Sequence, residues 1–244
     1  MDSYQDTFKR YEMKYLLDEK KYRMLLQRLE EEMKVDHFGK VTVCNIYFDT
    51  TDHRLIRSSL EKPIYKEKLR LRSYGTPGEG DTVFVELKKK YKGVVYKRRE
   101  KLKLPEAEQY LYENGPCSKQ SQITKEIDWF MKTYSDLSPA MYISYHRIAM
   151  IGIEEPNLRV TFDSNILWRE VDLWLESGSW GTPIIQEDQR LMEIKLPGTM
   201  PLWLAHILDE LEIYPTTFSK YGKSYLLSEQ LKKNEFIKGE KVYA

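Results

Sequence analysis

Between Ile64 and Leu104 apolar and charged positions alternate with a period of two. Leu69 and Leu71 interleave with Lys68, Arg70 and Arg72, and Val83, Val85 and Leu87 with Glu86 and Lys88. That period is the signature of a strand with one apolar and one charged face. An ordinary half-buried strand mixes polar residues on its wet face, because aligned like charges repel. A row of cations on one face makes physical sense when a polyanion lies along it.

The same reading predicts strands over 8–17, 41–48, 64–73, 82–90, 94–104, 141–151, 158–163, 166–174 and 184–196. It predicts a helix over 18–34 on the apolar spacing of Tyr22, Leu25, Leu26, Leu29 and Met33, and a short helix after Asp52. Residues 105–131 are helical in two pieces broken near Asn114-Gly115-Pro116, and further helices cover 202–211 and the chain after Phe218. Many long strands with few helices between them suggest an α+β fold: an eight-stranded, closed antiparallel β-barrel with helices packed outside. Parity turns Leu69, Leu71, Val83, Val85, Leu87, Val160, Phe162, Ile194 and Leu196 outward onto those helices. The charged set then faces a lumen, a tunnel that inverts the usual apolar-filled barrel. No repeat or linker divides the chain, so residues 1–244 are expected to form one domain.

Composition changes this picture in two places. Apolar residues make up 41% and charged residues 32% of 244, which describes a globular chain, and no run approaches ~18 uninterrupted apolar residues. The start of the chain lacks the basic and apolar runs of a secretion signal, and Cys44 and Cys117 build no disulfide framework, so cytoplasm is the default compartment. The net charge of +1 conceals an asymmetry: from Lys62 to Lys103 fourteen Lys and Arg oppose five Asp and Glu. A balanced chain with one intensely basic region suggests a confined anion site.

Six segments place ions on the inner parity: Lys68, Arg70 and Arg72; Glu86 and Lys88; Lys97 and Arg99; Arg147; Arg159; Glu193 and Lys195. Each strand alone could be a solvated sheet face. Six together, several flanked by residues that read as buried, imply charges that must be paired or bound to an ion. Two glutamates neutralise only part of the set. Arginine grips phosphate oxygens bidentately and lysine acts as a point charge, so a phosphate ligand fits. A carboxylate among these cations would hold a divalent cation or orient a neighbour; Glu193 is the first candidate metal ligand and Glu86 the second. The inference is a metal-bound linear polyphosphate or a nucleoside triphosphate.

At these residues the chain resembles the VTC domain, the polyphosphate polymerase branch of the triphosphate tunnel metalloenzymes (CYTH-like superfamily). The resemblance runs from Arg10-Tyr-Glu-Met-Lys14 to Phe218-Ser-Lys-Tyr221. Between them come Asn45-Ile-Tyr-Phe-Asp49, Leu69-Arg-Leu-Arg-Ser-Tyr-Gly75, Val85-Glu-Leu-Lys88, Tyr145-His-Arg147, Leu158-Arg-Val-Thr-Phe-Asp163 and Leu191-Met-Glu-Ile-Lys195 in family order. It implies an eight-stranded tunnel and phosphate contacts from Lys14, Arg70, Arg72, Lys88, Lys97, Arg147, Arg159, Lys195 and Lys220, with Glu193 on Mn²⁺ or Mg²⁺. Arg98 and Arg99 beside Lys97 leave its register open. Hydrolytic and cyclase members open with Glu-x-Glu-x-Lys, whereas this chain has Arg10-Tyr-Glu12-Met-Lys14, which disfavours a two-metal triphosphatase.

The resemblance implies transfer of the γ-phosphoryl group of ATP to a growing inorganic polyphosphate, in a tunnel whose open ends would let the product leave. Hydrolysis of tripolyphosphate or a nucleoside triphosphate, and polyphosphate binding without turnover, stay open as alternatives. Nucleic acid is disfavoured, because the cations alternate along strands instead of forming an exposed patch. Family members can sit in membrane assemblies, which leaves room for a membrane partner, although this chain carries no membrane segment of its own. Gly222-Lys223-Ser224 lacks the earlier glycine of a P-loop. The four histidines show no metal spacing, Asp49 and Asp52 read as helix caps, and of Lys88-Lys89-Lys90 parity lets only two face inward.

Overall fold

A computed structural model describes residues 11–92 and 94–242, with side chains to residue 235. Arg10 and the predicted strand start at Phe8 lie outside the described residues. The strands are β1 (Tyr11–Leu17), β2 (Met33–Asp49), β3 (Tyr65–Tyr74), β4 (Thr82–Tyr91), β5 (Val94–Lys103), β6 (Ser138–Gly152), β7 (Arg159–Arg169), β8 (Thr182–Pro183) and β9 (Arg190–Leu196). The helices are α1 (Glu19–Leu29), α2 (Arg54–Leu60), α3 (Leu104–Tyr112), α4 (Gln122–Thr133), α5 (Leu202–Glu210) and α6 (Lys220–Val242). Among the described residues no helix is long and apolar enough to cross a membrane.

Eight strands form one antiparallel path in the order β1-β9-β7-β6-β2-β3-β4-β5, with β8 a short addition on β7. The α+β class and the eight antiparallel strands agree with expectation; backbone closure does not. No described ladder joins β1 to β5, because the free edge of β1 is taken by the segment before α6: the Thr216 N–H donates to the Lys14 carbonyl at 2.7 Å. The sheet still curls on itself. Glu12 on β1 reaches to within 3.7 Å of Lys88 on β4, so an ion pair crosses the lumen where a ladder is missing.

Local chemistry sets the element ends. Asp18 caps α1 by accepting from the Lys21 N–H, and α1 buries Leu25 and Leu29. The helix stops at Leu29, short of the predicted Lys34, since Glu30, Glu31 and Glu32 place three negative charges on the negative end of its dipole. Met33 already begins β2. The predicted strands over 158–163 and 166–174 are one strand, β7, that passes a bulge opposite Ser144 and His146, with Asn165 at φ 47°.

The outward set is buried as parity requires. Leu69, Leu71, Val83, Val85 and Leu87 pack with Ala107 of α3 and Ile127 and Phe130 of α4. Val160, Phe162, Ile194 and Leu196 pack with Leu25 of α1 and Leu204 and Leu208 of α5. Each such side chain contributes about 1.5–3 kcal/mol of burial. A third apolar cluster departs from the expected polar lumen: Val43, Tyr47, Ile143 and Tyr145 share the inner face and pack with Tyr221 at the start of α6.

A candidate anion site on the lumen face

Strand parity delivers most of the predicted cations to one surface, where four carboxylates organise them. Glu86, 1% exposed, is the most crowded. Arg70 Nε donates to its Oε2 at 2.8 Å and Arg99 Nε to its Oε1 at 2.6 Å; Lys97 Nζ lies 2.8 Å from Oε1 and Arg72 3.8 Å from Oε2. Burial alone would raise this carboxyl, but Arg70, Arg72, Lys97 and Arg99 hold it far below the usual range. Lys97 and Arg99 are inward because they pair in register with Lys88 and Glu86, while Arg98 points out to Glu126 at 3.4 Å, which settles the register left open by the sequence.

The arginines are also held from the side. Arg70 donates to the Tyr47 hydroxyl at 3.0 Å, and Arg72 donates to Asn45 Oδ1 at 2.8 Å and the Tyr145 hydroxyl at 3.2 Å. Burial would raise the Tyr145 hydroxyl, yet Arg147, Arg72 and Lys220 bring it down to about 8.

Asp163 is the second organiser. It is fully buried and accepts both Nε and Nη2 of Arg147, at 2.6 and 2.8 Å, and Lys220 Nζ at 2.5 Å. Lys220, the first residue of α6, reaches the lumen because its neighbour is anchored: the Tyr221 hydroxyl donates to Asp49 at 2.7 Å and its ring stacks on Tyr47. Asp49 also accepts from the Thr50, Leu55 and Ile56 N–H groups, so one carboxylate caps α2 and pins α6.

On β1 and β9 the arrangement is looser. Glu193 pairs closely with Lys195 through Oε1, while its Oε2 is 3.8 Å from Lys14. Glu12 stands 3.5 Å from Lys14 and 3.7 Å from Lys88. Burial opposes ionisation of Glu193, but Lys195, Lys14 and Lys220 hold its carboxyl well below the usual range. Arg159 is not gathered in: half exposed, it sits 3.5 Å from Asp36 at the end of β7.

Sequence reasoning named the cations but passed over Asn45, Tyr47, Tyr145 and Asp163 as site residues. Their signal was present. Asp163 shares the parity of Arg159, and Asn45 and Tyr47 share that of Asp49, but a search for rows of cations draws attention neither to uncharged residues nor to a lone aspartate.

The donors fit a divalent cation only in part. Both oxygens of Glu86 are occupied by cations, whereas among the described residues no lysine comes within close hydrogen-bond distance of the second oxygen of Glu193 or of either oxygen of Glu12. Among the described residues no three His, Cys, Asp or Glu side chains gather as a metal site. Glu193 with Glu12 therefore fits a cation completed by phosphate oxygens, the usual manner for magnesium.

Comparison with known proteins bears on this surface. A candidate adenylate cyclase from Bacillus halodurans matches with a TM-score of 0.56 at 16% identity, covering 88% of this chain and 96% of its own. A candidate adenylyl cyclase from Hippeastrum, described as having a dominant triphosphatase activity, matches with a TM-score of 0.53 at 16% identity over 86% and 92%. At that identity the likeness is one of fold. Comparison with curated protein sequences gives no match. The family model for the VTC domain matches residues 9–228, nearly the whole chain, and the protein belongs to the VTC domain family.

Proposed function

We propose that this protein is a polyphosphate polymerase that transfers the γ-phosphoryl group of ATP to the end of an inorganic polyphosphate chain. The observation that carries this reading is the excess of positive charge on the lumen face. Glu12, Glu86, Asp163 and Glu193 leave half of the charge of Lys14, Arg70, Arg72, Lys88, Lys97, Arg147, Lys195 and Lys220 unbalanced. Membership of the VTC domain family supports a phosphate polymer as the missing anion.

Little covalent chemistry is asked of the protein, because the attacking terminal phosphate is already an anion. Arg70 and Arg72 are pre-oriented by Glu86, Tyr47 and Asn45 and would clamp phosphate oxygens without reorganising. Arg147 and Lys220, fixed by Asp163, would hold the neighbouring phosphoryl group in line, and Lys14 and Lys195 would neutralise charge as the bond to the leaving ADP lengthens. Mn²⁺ or Mg²⁺ held by Glu193, with Glu12 beside it, supplies further neutralisation at the transferred group. Glu86 acts as a counter-ion that orients cations. Arg159, at the rim, is assigned to an outlying phosphate.

A second reading, hydrolysis of a triphosphate, draws support from Glu12, whose carboxylate has no close donor among the described residues and could orient a water, and from the triphosphatase activity described for the Hippeastrum protein. Incubation with ATP and Mn²⁺, following polyphosphate on a gel and free phosphate in parallel, separates the two. Polyphosphate with ADP, lost in Glu193→Ala, is the expected result. Free phosphate without polymer would replace the polymerase reading by hydrolysis. No product, with polyphosphate binding retained, would leave a binding module.

A further inference from the structure

The lumen face is not charged evenly along its length, and one end is built from lysines that the site above does not use. β3 and β4 run antiparallel with Lys68 opposite Lys88 and Lys66 opposite Lys90. All four are on the parity of Arg70 and Glu86, so Lys66 and Lys90 form the last inward rung at one end of these strands. Two ammonium groups directly across a ladder repel each other, and such pairs cost stability unless something negative lies between them.

Lys88 meets Glu12 at 3.7 Å, but among the described residues nothing negative pairs with Lys66 or Lys90. Among the described residues Lys66 has no carboxylate partner: its Nζ donates only to the Ser59 carbonyl, at 3.3 Å. Lys68 donates to the Ser219 hydroxyl at 3.3 Å and lies over the Tyr221 ring. Among the described residues Lys90 makes no ion pair. The other end of the same strands is finished differently. There Arg99 pairs with Glu86 and lies 4.4 Å over the Phe84 ring, and Phe84 packs edge-on against Tyr74. One end of the face thus gathers its cations on a carboxylate and aromatic rings, while the Lys66–Lys90 rung has no carboxylate of its own among the described residues. Burial, reinforced by Lys90, Lys14 and Lys62, pulls Lys66 below the ordinary lysine value, as expected for a cluster awaiting an anion.

We infer that the Lys66–Lys90 end is a second anion subsite, which holds phosphoryl units of a long polyphosphate beyond those gripped by Arg70 and Arg72. The inference rests on the polyphosphate reading proposed above. A ligand of three phosphates is short enough to be satisfied by the arginine-rich part of the face; only a longer linear anion extends to this rung. The chemistry that recognises it is repeated charge along a flexible chain, without base or sugar.

The test is equilibrium binding of tripolyphosphate and of long-chain polyphosphate to the full chain, as wild type, as Lys66→Ala/Lys90→Ala and as Lys66→Arg/Lys90→Arg. The alanine double variant is expected to bind long-chain polyphosphate about tenfold more weakly, with a shallower dependence on salt because fewer counterions are released. Tripolyphosphate binding should stay within about twofold of wild type, and the arginine variant should restore the long-chain affinity. Equal weakening of both ligands, or of neither, would overturn the subsite while leaving the polyphosphate reading intact. Failure of the wild type to bind either ligand would overturn that reading, and the subsite with it.

Discussion

Glu86 and Glu193 are carboxylates sunk in the same cationic face, yet they are held in opposite ways. Glu86 is enclosed by three guanidinium groups and an ammonium, with both oxygens accepting at 2.6–2.8 Å. Glu193 meets only lysines, and one of its oxygens has no partner nearer than 3.8 Å. The forked, rigid guanidinium saturates a carboxylate, whereas the point-charge ammonium leaves lone pairs free. The first arrangement makes a fixed part of the fold and the second leaves a group able to take a ligand. The two centres therefore predict opposite behaviour on substitution.

The largest effect is expected at Glu86. Glu86→Gln leaves Arg70 and Arg72 facing each other without a counter-ion, at a cost of about 3 kcal/mol, the lower end for breaking a buried ion pair because Lys97 and Arg99 reach solvent. Chemical denaturation reads the loss, and added tripolyphosphate should stabilise the variant more than the wild type by supplying the missing charge. Glu193→Gln breaks the comparison the other way. It should destabilise less than Glu86→Gln, because Lys14 and Lys195 reach solvent, but lose about a hundredfold or more in turnover of ATP. A destabilisation of Glu193→Gln equal to that of Glu86→Gln would show that both are structural.

The contrast between the centres also marks what a reading of the sequence can reach. Period-two alternation in β3 and β4 sorted Leu69, Leu71, Val83 and Val85 from Lys68, Arg70 and Arg72 correctly, because each strand buries a whole face and a register slip would expose it. That Glu86 gathers Arg99 and Lys97 follows from one short hairpin. Asp163 gathers Lys220 from 57 residues away, and Asp49 holds Tyr221 from 172, pairings created by the docking of α6 that no local period encodes. The expected closed barrel failed for a related reason: Thr216, in a segment with no strand pattern, occupies the edge of β1.

The Asp49–Tyr221 bond sharpens that point at a smaller scale. Tyr221→Phe keeps the ring against Tyr47 and removes one of five donors to Asp49, so it should cost about 1 kcal/mol by denaturation midpoint. A loss as large as that of Glu86→Gln would mean that α6 depends on this single bond for its place on the sheet.

The smallest effect is a dependence on pH that separates folding from binding. Burial, with Arg70 nearby and against the pull of Glu86, lowers Lys97 to about 7; burial, with Lys66, Lys88 and Lys14 nearby, lowers Lys68 to about 8. In the unfolded chain both titrate near the ordinary lysine value of about 10.4. Between about pH 7 and 10 the unfolded chain therefore binds more protons, and the free protein gains stability as pH rises; the penalty is fully present only below about 7. Anion binding runs the opposite way. A bound polyphosphate favours both ammonium forms, so binding at pH 8 takes up protons and affinity falls as pH climbs from 7 to 9. Tyr145, ionising near 8, adds negative charge in the same window and works in the same direction. Calorimetric titration with tripolyphosphate in two buffers of different ionisation enthalpy measures the proton uptake directly. No proton uptake would mean that these lysines keep their protons in the empty lumen, and that the free site is less desolvated than its geometry implies.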